Sequence, residues 1–462
     1  MKIPKIILIF IFLSAFNNVE IPNKSVENLS NSIKFQTISY GEKNLNSESE
    51  FIKFENFLEN TYPLVHKNLK KIKINNSLLY TWQGRNNNLK PIIFLAHLDV
   101  VPVENEALKN WTEPPFSGKI KDGFVWGRGT LDDKISVISI LEASEKLLTK
   151  NFIPERTIYF AFGHDEEIGG ENGAKQIASF LDKNKIKAEY ILDEGLTITE
   201  GIIPKLDKNA ALIGVTEKGY ASVELSVEVN GGHSSMPDKE NSITIISNAI
   251  KKINENQMKA KIIPTVKTFF ETIGKDMPFM EKIIFSNLWL FEPLVINIFQ
   301  DSSTGNATLR TTTAITIFKS GIKDNVIPTS ASAVVNFRIL PTESSENIIT
   351  HLKKVINDER VKIKFLSEVS EPAPISDITS FGYKVIEKSI NKVFKNTIVS
   401  PSMVLAGTDS KHYLKISDNI YRFLPIKVKK DDLSRIHGTN ERISIDNYFE
   451  IIDFYYNLFL DS

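Results

Sequence analysis

The 462-residue chain contains no cysteine. Disulfide bonds, thiolate metal ligands and thiol nucleophiles are therefore excluded, and a transition metal would have to be held by imidazole and carboxylate groups. The sequence also lacks an excess of either charge, since Lys and Arg together number 56 and Asp and Glu together number 56. A chain without net charge has no overall field that attracts nucleic acid, so no nucleic-acid partner is expected.

The N-terminus has the pattern of an export signal. Lys2 and Lys5 precede an apolar run from Ile6 to Phe16. A basic start followed by ~7–15 apolar residues is typical of a secretory signal peptide, and the run is shorter than the ~20 residues of a membrane-spanning helix. We predict a signal peptide over residues 1–16 and a flexible lead-in over residues 17–31. The protein is expected to be exported, either periplasmic or secreted, and the alternative is a membrane anchor formed by an uncleaved N-terminus.

Length and pattern predict two domains, one inserted in the other. Single domains mostly span ~50–200 residues, fewer than this chain has. Strand and helix patterns alternate over residues 32–216 and return over residues 371–462, which predicts an α/β fold with a doubly wound mixed sheet, phosphorylase/hydrolase-like. Between them, residues 217–370 have the strict alternation of half-exposed strands, which predicts an inserted α+β domain. Residues 50–72 predict a single amphipathic helix.

Histidine and carboxylate residues recur around the predicted ends of the strands. They are His97 and Asp99, Asp132 in a glycine-rich turn, the pair Glu166 and Glu167, then Asp193 and His437. In a doubly wound sheet, ligands gather at the carboxyl ends of the strands. Imidazole and carboxylate groups in this number match the needs of two divalent metal ions and an activated water.

Each of these residues has a simpler role when it is considered alone. Asp132 could be an N-cap of the following helix, and Asp193 and His437 could be solvated loop residues. The prediction therefore depends on the set. Within the set, Asp99 lies on the same strand face as His97 and can accept its second ring N–H.

The motifs together resemble those of a zinc metallopeptidase family that includes aminoacylase, glutamate carboxypeptidase and succinyl-diaminopimelate desuccinylase. The resemblance implies two divalent metal ions, expected to be zinc, bound by His97, Asp132, Glu167, Asp193 and His437. It implies that Asp132 bridges the ions, with His97 and Asp193 on one and Glu167 and His437 on the other. It further implies Glu166 as the general base, Asp99 as the support of His97, and a cis peptide between Asp132 and Asp133.

The inserted domain resembles the lid domain of the same family, which implies a homodimer formed through the lid as one arrangement. The motif around His233 implies a histidine that stabilises the oxyanion. Asn325 and Arg338 imply groups that bind a substrate carboxylate, for which the planar guanidinium is suited, although a plain surface arginine is the alternative. Gly407 and Thr408 resemble a substrate-pocket loop of the catalytic domain. The apolar stretch from Met277 to Phe299 is interpreted either as the lining of an acyl-chain channel or as lid core or a covered dimer edge.

Several motifs, such as Tyr-Ile-Leu-Asp-Glu-Gly at 190–195 and His-Gly-Thr-Asn-Glu at 437–441, resemble the branch with yeast carboxypeptidase S and the N-fatty-acyl-amino-acid synthase/hydrolase. The expected function is metal-dependent hydrolysis of the amide or peptide bond next to a free C-terminal carboxylate, in N-acyl amino acids or dipeptides, with the reverse condensation as a second direction. The expected partner is thus a small-molecule or short-peptide substrate. The alternatives are an aminopeptidase or dipeptidase of the same fold and a non-catalytic peptide or amino-acid binding protein.

Overall fold

The computed structural model describes residues 23–41 and 48–462, so the predicted signal peptide lies outside the described residues. In the described part of the chain the strands are β1 (Lys70–Ile74), β2 (Ser77–Trp82), β3 (Ile92–His97), β4 (Ile120–Lys121), β5 (Phe124–Trp126), β6 (Ile158–Gly163), β7 (Ile191–Thr199), β8 (Asn209–Glu217), β9 (Gly219–Glu228), β10 (Gly232–His233), β11 (Thr312–Ser320), β12 (Val326–Ile327), β13 (Ser330–Ile339), β14 (Lys362–Phe365), β15 (Thr397–Val404), β16 (Ile420–Val428) and β17 (Arg442–Ser444).

The helices in the same part of the chain are α1 (Lys24–Ile33), α2 (Glu48–Thr61), α3 (Pro63–Asn68), α4 (Lys134–Leu148), α5 (Ala174–Lys183), α6 (Ser242–Glu255), α7 (Pro264–Gly274), α8 (Phe279–Ser286), α9 (Leu288–Phe299), α10 (Ser303–Leu309), α11 (Ser345–Ile356), α12 (Phe381–Val393) and α13 (Ile445–Asp461). Polar N-caps fix several starts. Asn241 before α6 and Ser444 before α13 accept backbone N–H groups of the first turn.

The larger domain is built on a mixed eight-stranded sheet with the strand order β1-β2-β6-β3-β7-β16-β8-β15. Its centre is parallel, because β3 pairs in parallel with β6 and β7, and β16 with β7. The β1 and β2 edge is antiparallel. The predicted α/β class with a doubly wound mixed sheet is therefore confirmed.

Helices cover both faces of this sheet. In β3, Ile92 and Phe94 pack into the core that contains α4 and α13, whereas Ile93 and Leu95 pack on the other face into the core that contains α5. A strand that is covered on both faces has no polar face, which explains the continuous apolar run in the sequence. β3 ends at His97, so this side chain lies at the carboxyl edge of the parallel strands.

The inserted domain has its own antiparallel sheet with the order β11-β13-β9-β14. One face packs on α6 and α11, and the other is partly exposed. This confirms the predicted α+β lid fold, while the boundaries at residues 217 and 370 stay predictions. The two crossings between the domains lie side by side: Tyr220 N–H donates to the Ser370 carbonyl at 2.7 Å, and Ser370 N–H donates to the Tyr220 carbonyl at 3.0 Å.

A cluster of helices, α7 to α10, extends the lid and contacts the larger domain. Phe270, Phe285 and Leu288 form a small core with Met403 of β15. Lys208 makes a 2.7 Å ion pair with Asp276 at the same junction. Among the described residues no single helix is long and apolar enough to cross a bilayer; α8 and α9 pass that test only as a pair, with a bend of 113° between them.

Three expectations about local structure were wrong. Residues 24–31 do not form a flexible lead-in, because they belong to α1, whose Val26 and Leu29 are buried in the main core. Residues 50–72 do not form one helix, because Pro63 begins a separate helix and β1 follows. Asp193 does not follow a strand end, since β7 continues to Thr199 and pairs there with β8.

Candidate metal centre

A buried ion pair joins two loops that are far apart in the chain. Nη1 of Arg128 lies 2.5 Å from Oε2 of Glu441, and both residues are buried. Nη2 of Arg128 also donates to the carbonyl oxygen of His437 at 3.0 Å. Oε1 of Glu441 accepts two backbone N–H bonds, at 2.9 and 2.8 Å, from the glycine-rich loop 127–131. These bonds hold the loop that leads to Asp132 against the loop that carries His437.

The Asp132 carboxylate lies between two imidazoles. Its Oδ1 is 2.9 Å from Nε2 of His97, and its Oδ2 is 2.9 Å from Nε2 of His437. Glu167 completes the group, with Oε2 at 3.2 Å from Nε2 of His437. One ligand atom each from His97, Asp132 and Glu167 lie within 4.8 Å of one another. The structure thus brings four of the predicted ligands together, and the peptide bond between Asp132 and Asp133 is cis, as the resemblance implied.

The electrostatics of this group favour positive charge. Hydrogen bonds to Asp132 and Glu167 raise the pKa of His437 to about 10. Burial opposes protonation of His97, but its hydrogen bonds to Asp132 and Asp99 raise its pKa well above the usual range. Burial likewise opposes ionisation of Asp132, yet both histidines lower its pKa. Surroundings that stabilise imidazolium in this way also favour a metal cation at the same position.

Asp99 connects His97 to the glutamate turn. Nδ1 of His97 lies 3.0 Å from the Asp99 carbonyl oxygen and 3.3 Å from its Oδ1. The two carboxylate oxygens of Asp99 also accept the backbone N–H groups of Glu166 and Glu167, at 3.2 Å each. A single buried carboxylate therefore orients an imidazole and the turn that carries both glutamates.

The two consecutive glutamates lie in different surroundings. Glu167 contacts His437, whereas burial raises the pKa of Glu166 well above its ordinary value, with the nearby Asp409 and Asp132 adding to the effect and His97 opposing it. Oε1 of Glu167 is buried and has no hydrogen-bond partner among the described residues. A buried oxygen of this kind is destabilising unless a proton or a cation neutralises it. Nitrogen and oxygen donors with an unpaired buried carboxylate oxygen fit divalent metal ions.

Asp193 is held differently from the other predicted ligands. Its Oδ1 accepts the backbone N–H of Glu194 at 2.9 Å, and its Oδ2 accepts that of Ser410 at 2.8 Å. Burial raises its pKa to about 6. Asp193 is the first residue of β7 beyond the part that pairs in parallel with β3. In the described chain the compact group around Asp132 does not include Asp193, so its role as a ligand stays a prediction.

A buried network lies behind Asp193. The hydroxyl of Thr408 is 2.7 Å from that of Ser410 and 3.2 Å from Oε2 of Glu217. Nε of Arg422 lies 2.9 Å from the Ser410 hydroxyl and 3.4 Å from Glu217 Oε2, and Arg422 is fully buried. Thr408 is only 2% exposed and its hydroxyl is engaged inside the protein, and its role in substrate binding stays a prediction. Gly407, just before it, is exposed.

Glu194 and Asp409 lie in motifs that the sequence analysis singled out, at 190–195 and 407–410, but neither was assigned a role of its own. Burial raises the pKa of Glu194 well above its usual range, and neighbouring carboxylates including Asp132 add to this. Asp409 is buried, and its Oδ1 has no hydrogen-bond partner in the described chain. A Cβ at Gly170 would come 2.1 Å from that oxygen, so this position requires glycine. The signal available in the sequence was the position of Asp409 in the motif Gly407-Thr-Asp-Ser410.

The three predicted lid residues differ in exposure and in their neighbours. His233 and Asn325 are exposed and adjacent, since the backbone N–H of Ser234 donates to the Asn325 carbonyl at 3.3 Å. The His233 ring contacts Ser235 of its own loop, 2.7 Å from the hydroxyl. Arg338 is half-buried on the open face of the lid sheet, with its guanidinium 5.0 Å from the ring centroid of Tyr220. Within the described residues no carboxylate lies at ion-pair distance from Arg338.

Comparison with known proteins finds similarity over most of the chain. The family described as Peptidase family M20/M25/M40 matches residues 93–461. The chain is 46% identical over 437 residues to probable carboxypeptidase S-like 2 of Dictyostelium discoideum, covering 94% of this chain and 84% of that protein. It is 41% identical over 450 residues to N-fatty-acyl-amino acid synthase/hydrolase PM20D1.1 of Danio rerio, covering 95% and 86%.

The fold is similar to that of a solved M20 family metallo-carboxypeptidase, Sso-CP2 from Sulfolobus solfataricus. The TM-score is 0.69 at 20% sequence identity, with 95% of this chain and 99% of that chain covered. At that identity the likeness supports the fold.

Proposed function

Because the chain belongs to peptidase family M20/M25/M40, we propose that it hydrolyses the amide or peptide bond next to a free C-terminal carboxylate, in N-acyl amino acids or dipeptides. The observation that carries this proposal is the position of Asp132, whose two oxygens contact His97 and His437, with Glu167 against the same His437 ring. The names of the relatives, a carboxypeptidase S-like protein and an N-fatty-acyl-amino acid synthase/hydrolase, support the substrate class and the reverse condensation.

The proposal includes two divalent metal ions, which are expected to be zinc. His97 and Asp193 would hold one, Glu167 and His437 the other, and Asp132 would lie between them. When bound, the ions would polarise the scissile carbonyl and acidify the attacking water. The unpaired Oε1 of Glu167 supports this assignment. It is a buried carboxylate oxygen without a hydrogen-bond partner, and a bound cation would stabilise it.

Glu166 is the general base in this proposal. It takes a proton from the water that attacks the carbonyl carbon and passes the proton to the nitrogen that leaves. A base for this step needs a pKa above that of an ordinary carboxylate, and burial raises the pKa of Glu166 in that direction. Asp99 assists by fixing the turn that carries Glu166 and by orienting the ring of His97.

The substrate carboxylate is assigned to Arg338. Its guanidinium stacks on Tyr220, which leaves the donor edge of the planar fork available for a bidentate contact. Asn325 and His233 are assigned to the same substrate end and to the oxyanion. Both are exposed, so their action requires that the lid and the substrate come together.

Two further assignments concern the whole chain. We propose export by the N-terminal segment, and self-association through the lid. The edge strand of the lid sheet, β11, supports the second, because Ile317 and Phe318 are 45% and 46% exposed there and an open strand edge can pair with a second copy. Sedimentation of the purified chain over a range of concentrations tests it; a monomer at all concentrations contradicts it.

A substrate panel with metal analysis tests the proposed function. The purified chain is assayed with acetyl- and oleoyl-phenylalanine, with Ala-Phe, and with the C-terminal amide of each. Losing a charge-assisted hydrogen bond corresponds to roughly 10- to 150-fold, so we expect free acids to exceed amides by that factor in kcat/KM, with two metal ions per chain. Preference for substrates with a free α-amine and a blocked carboxylate would identify an aminopeptidase. Tight binding without turnover would identify a binding protein.

A further inference from the structure

Helices α8 and α9 present a broad apolar surface to solvent. We call it the α8–α9 surface and define it by six side chains that are between 45% and 79% exposed: Phe279, Met280, Trp289, Leu290, Leu294 and Ile298. The opposite sides of the same helices are apolar too, since Phe285, Leu288 and Val295 pack inward against α7 and β15. A helix that is apolar all round is normally covered on every side. Here residues 23–41 and 48–462 cover only one side.

The charge on this surface restricts the kind of partner. Between residues 279 and 299 the only ionisable side chains are those of Glu281, Lys282 and Glu292. Glu281 is already engaged in an ion pair with Lys205 of the larger domain. A surface with so few charges is matched by a partner that is itself without net charge. Pro293 leaves the carbonyl of Trp289 without an intrahelical donor, and neither helix has a side-chain N-cap, so the surface suits the headgroup level, where such groups are hydrated, rather than the hydrocarbon.

The dimensions of the helices exclude a membrane span and favour a position along a membrane. The 12 residues of α9 rise by only about 18 Å, against a hydrocarbon thickness of ~30 Å, and the bend of 113° between α8 and α9 prevents a continuous rod. A helix can lie along the interface of a bilayer with one apolar face towards the acyl chains; in α8 and α9 the opposite face packs on the protein. Trp289, 79% exposed, is the residue type that is enriched at this level.

We infer that the α8–α9 surface docks on a lipid bilayer whose headgroups are zwitterionic, with Trp289 and Phe279 inserted among them. The surface is linked to the site, because Met403 of β15 belongs to the core beneath α8 and α9 and the same strand leads to the loop at Gly407–Ser410, which binds Asp193. Docking would bring substrates with fatty acyl chains close to the loop; that role rests on the proposed function, whereas docking itself does not.

The fluorescence of Trp289 offers a direct test on the full chain. The other three tryptophans, Trp82, Trp111 and Trp126, are at most 9% exposed, so a spectral change on addition of vesicles reports Trp289. We expect phosphatidylcholine vesicles to shift the emission to shorter wavelength and the protein to float with them. Because the surface is nearly uncharged, neither 0.5 M salt nor added phosphatidylserine should change vesicle binding by more than about twofold.

Matched variants separate this surface from any contribution of the N-terminal apolar run. Trp289→Ser combined with Leu290→Ser removes two large apolar groups and should weaken flotation at least about tenfold. The controls Ile153→Ser and Leu366→Ser change residues of comparable exposure, 53% and 49%, elsewhere on the chain. These controls should float like the unchanged protein and keep its activity on acetyl-phenylalanine.

Four results would overturn the inference. The first is a Trp289 emission that does not shift when vesicles are added, and the second is an equal loss of flotation in the control variants. The third is vesicle binding only when anionic lipid is present. The fourth is a protein that does not bind vesicles but forms a concentration-dependent dimer, which the double variant no longer forms. The last would assign the surface to a second copy. Activity on acetyl-phenylalanine is measured in parallel, so failure of docking and failure of the proposed function give different results.

Discussion

The backbone N–H of Ser410 donates a 2.8 Å hydrogen bond to Oδ2 of Asp193. The Ser410 hydroxyl in turn accepts from Nε of Arg422 at 2.9 Å. Arg422 is fully buried and faces Glu217, the last residue of β8. The orientation of Asp193 therefore depends on a buried cation in β16 and on a carboxylate at the end of β8.

Substitution of Arg422 should weaken metal binding through Asp193. Arg422→Lys keeps the charge but loses the planar fork, and loss of such an outer contact typically lowers metal affinity about 10- to 100-fold. Arg422→Gln leaves Glu217 buried without its partner and should lower the free energy of unfolding by about 3–5 kcal/mol. Metal retention against graded chelator and urea unfolding measure the two effects. Arg156→Lys, at another buried arginine, should leave metal affinity unchanged; equal retention in the Arg422→Lys protein would contradict the coupling.

Glu166→Gln should abolish turnover while leaving the metal site intact. The amide cannot accept the proton, so kcat should fall roughly 100- to 10,000-fold. Metal content and melting temperature should stay at the values of the unchanged protein, because Glu167 rather than Glu166 contacts His437. Glu171→Gln, at an exposed glutamate paired with Lys175 nearby, is the control and should keep full activity. Loss of metal in the Glu166→Gln protein would make Glu166 a ligand instead of a base.

Arg338→Gln should raise KM for substrates with a free carboxylate. The lost charge-assisted contact corresponds to roughly 10- to 150-fold, and the C-terminal amides of the same substrates should be affected less than about threefold. Steady-state kinetics on both series provide the measurement. Arg360→Gln changes an exposed lid arginine that pairs with Asp358 and should alter neither series. If acids and amides lose activity equally, Arg338 does not bind the carboxylate.

Lys218 should make stability rise with pH above neutrality. Its ammonium donates to the carbonyl oxygens of Ala307 and Arg310, at 2.9 and 2.7 Å, and burial, with Arg338 nearby, lowers its pKa to about 7. The unfolded chain, with a lysine pKa of ~10.4, binds the extra proton between these two values. The native state is therefore penalised at pH 7 and below, and the penalty disappears as the pH rises to ~10.

The Lys218→Met variant isolates this effect. The free energy of unfolding of the unchanged protein minus that of the variant should increase by up to ~1.4 kcal/mol per pH unit between pH 7 and 10. Urea unfolding at pH 7, 8 and 9 gives the slope. Lys251→Met, at an exposed lid lysine, should show no such slope, and parallel curves for the Lys218→Met protein would contradict the pKa shift.

The features that could be predicted from the sequence are those that depend on a short segment of the chain. The continuous apolar run of β3 and the motif residues His97, Asp132 and His437 are visible without a structure, because strand burial and donor chemistry leave a direct pattern. Helix α1 was missed because its polar sequence carries only a few apolar residues, whose burial depends on α4 and β5 far along the chain.

The buried network and the open helix face could not be predicted in the same way. Arg422 and Glu217 are ordinary charged residues in the sequence, and only the pairing of β16 with β7 and β8 brings them together. The apolar stretch that contains α8 and α9 was interpreted as a channel lining or as a covered surface. Whether an apolar helix is covered depends on what packs beside it, and the exposed Trp289 shows that one side is not.

The reciprocal hydrogen bonds between Tyr220 and Ser370 place the two ends of the inserted domain against each other. A segment that leaves and returns at one point can be replaced without lengthening or straining the remainder of the chain. Exchange of lids between relatives therefore requires a match at two places only. They are the paired crossing segments at Tyr220 and Ser370 and the contact of α7 with Met403. Specificity can diversify by such recombination while the metal-binding body is inherited unchanged.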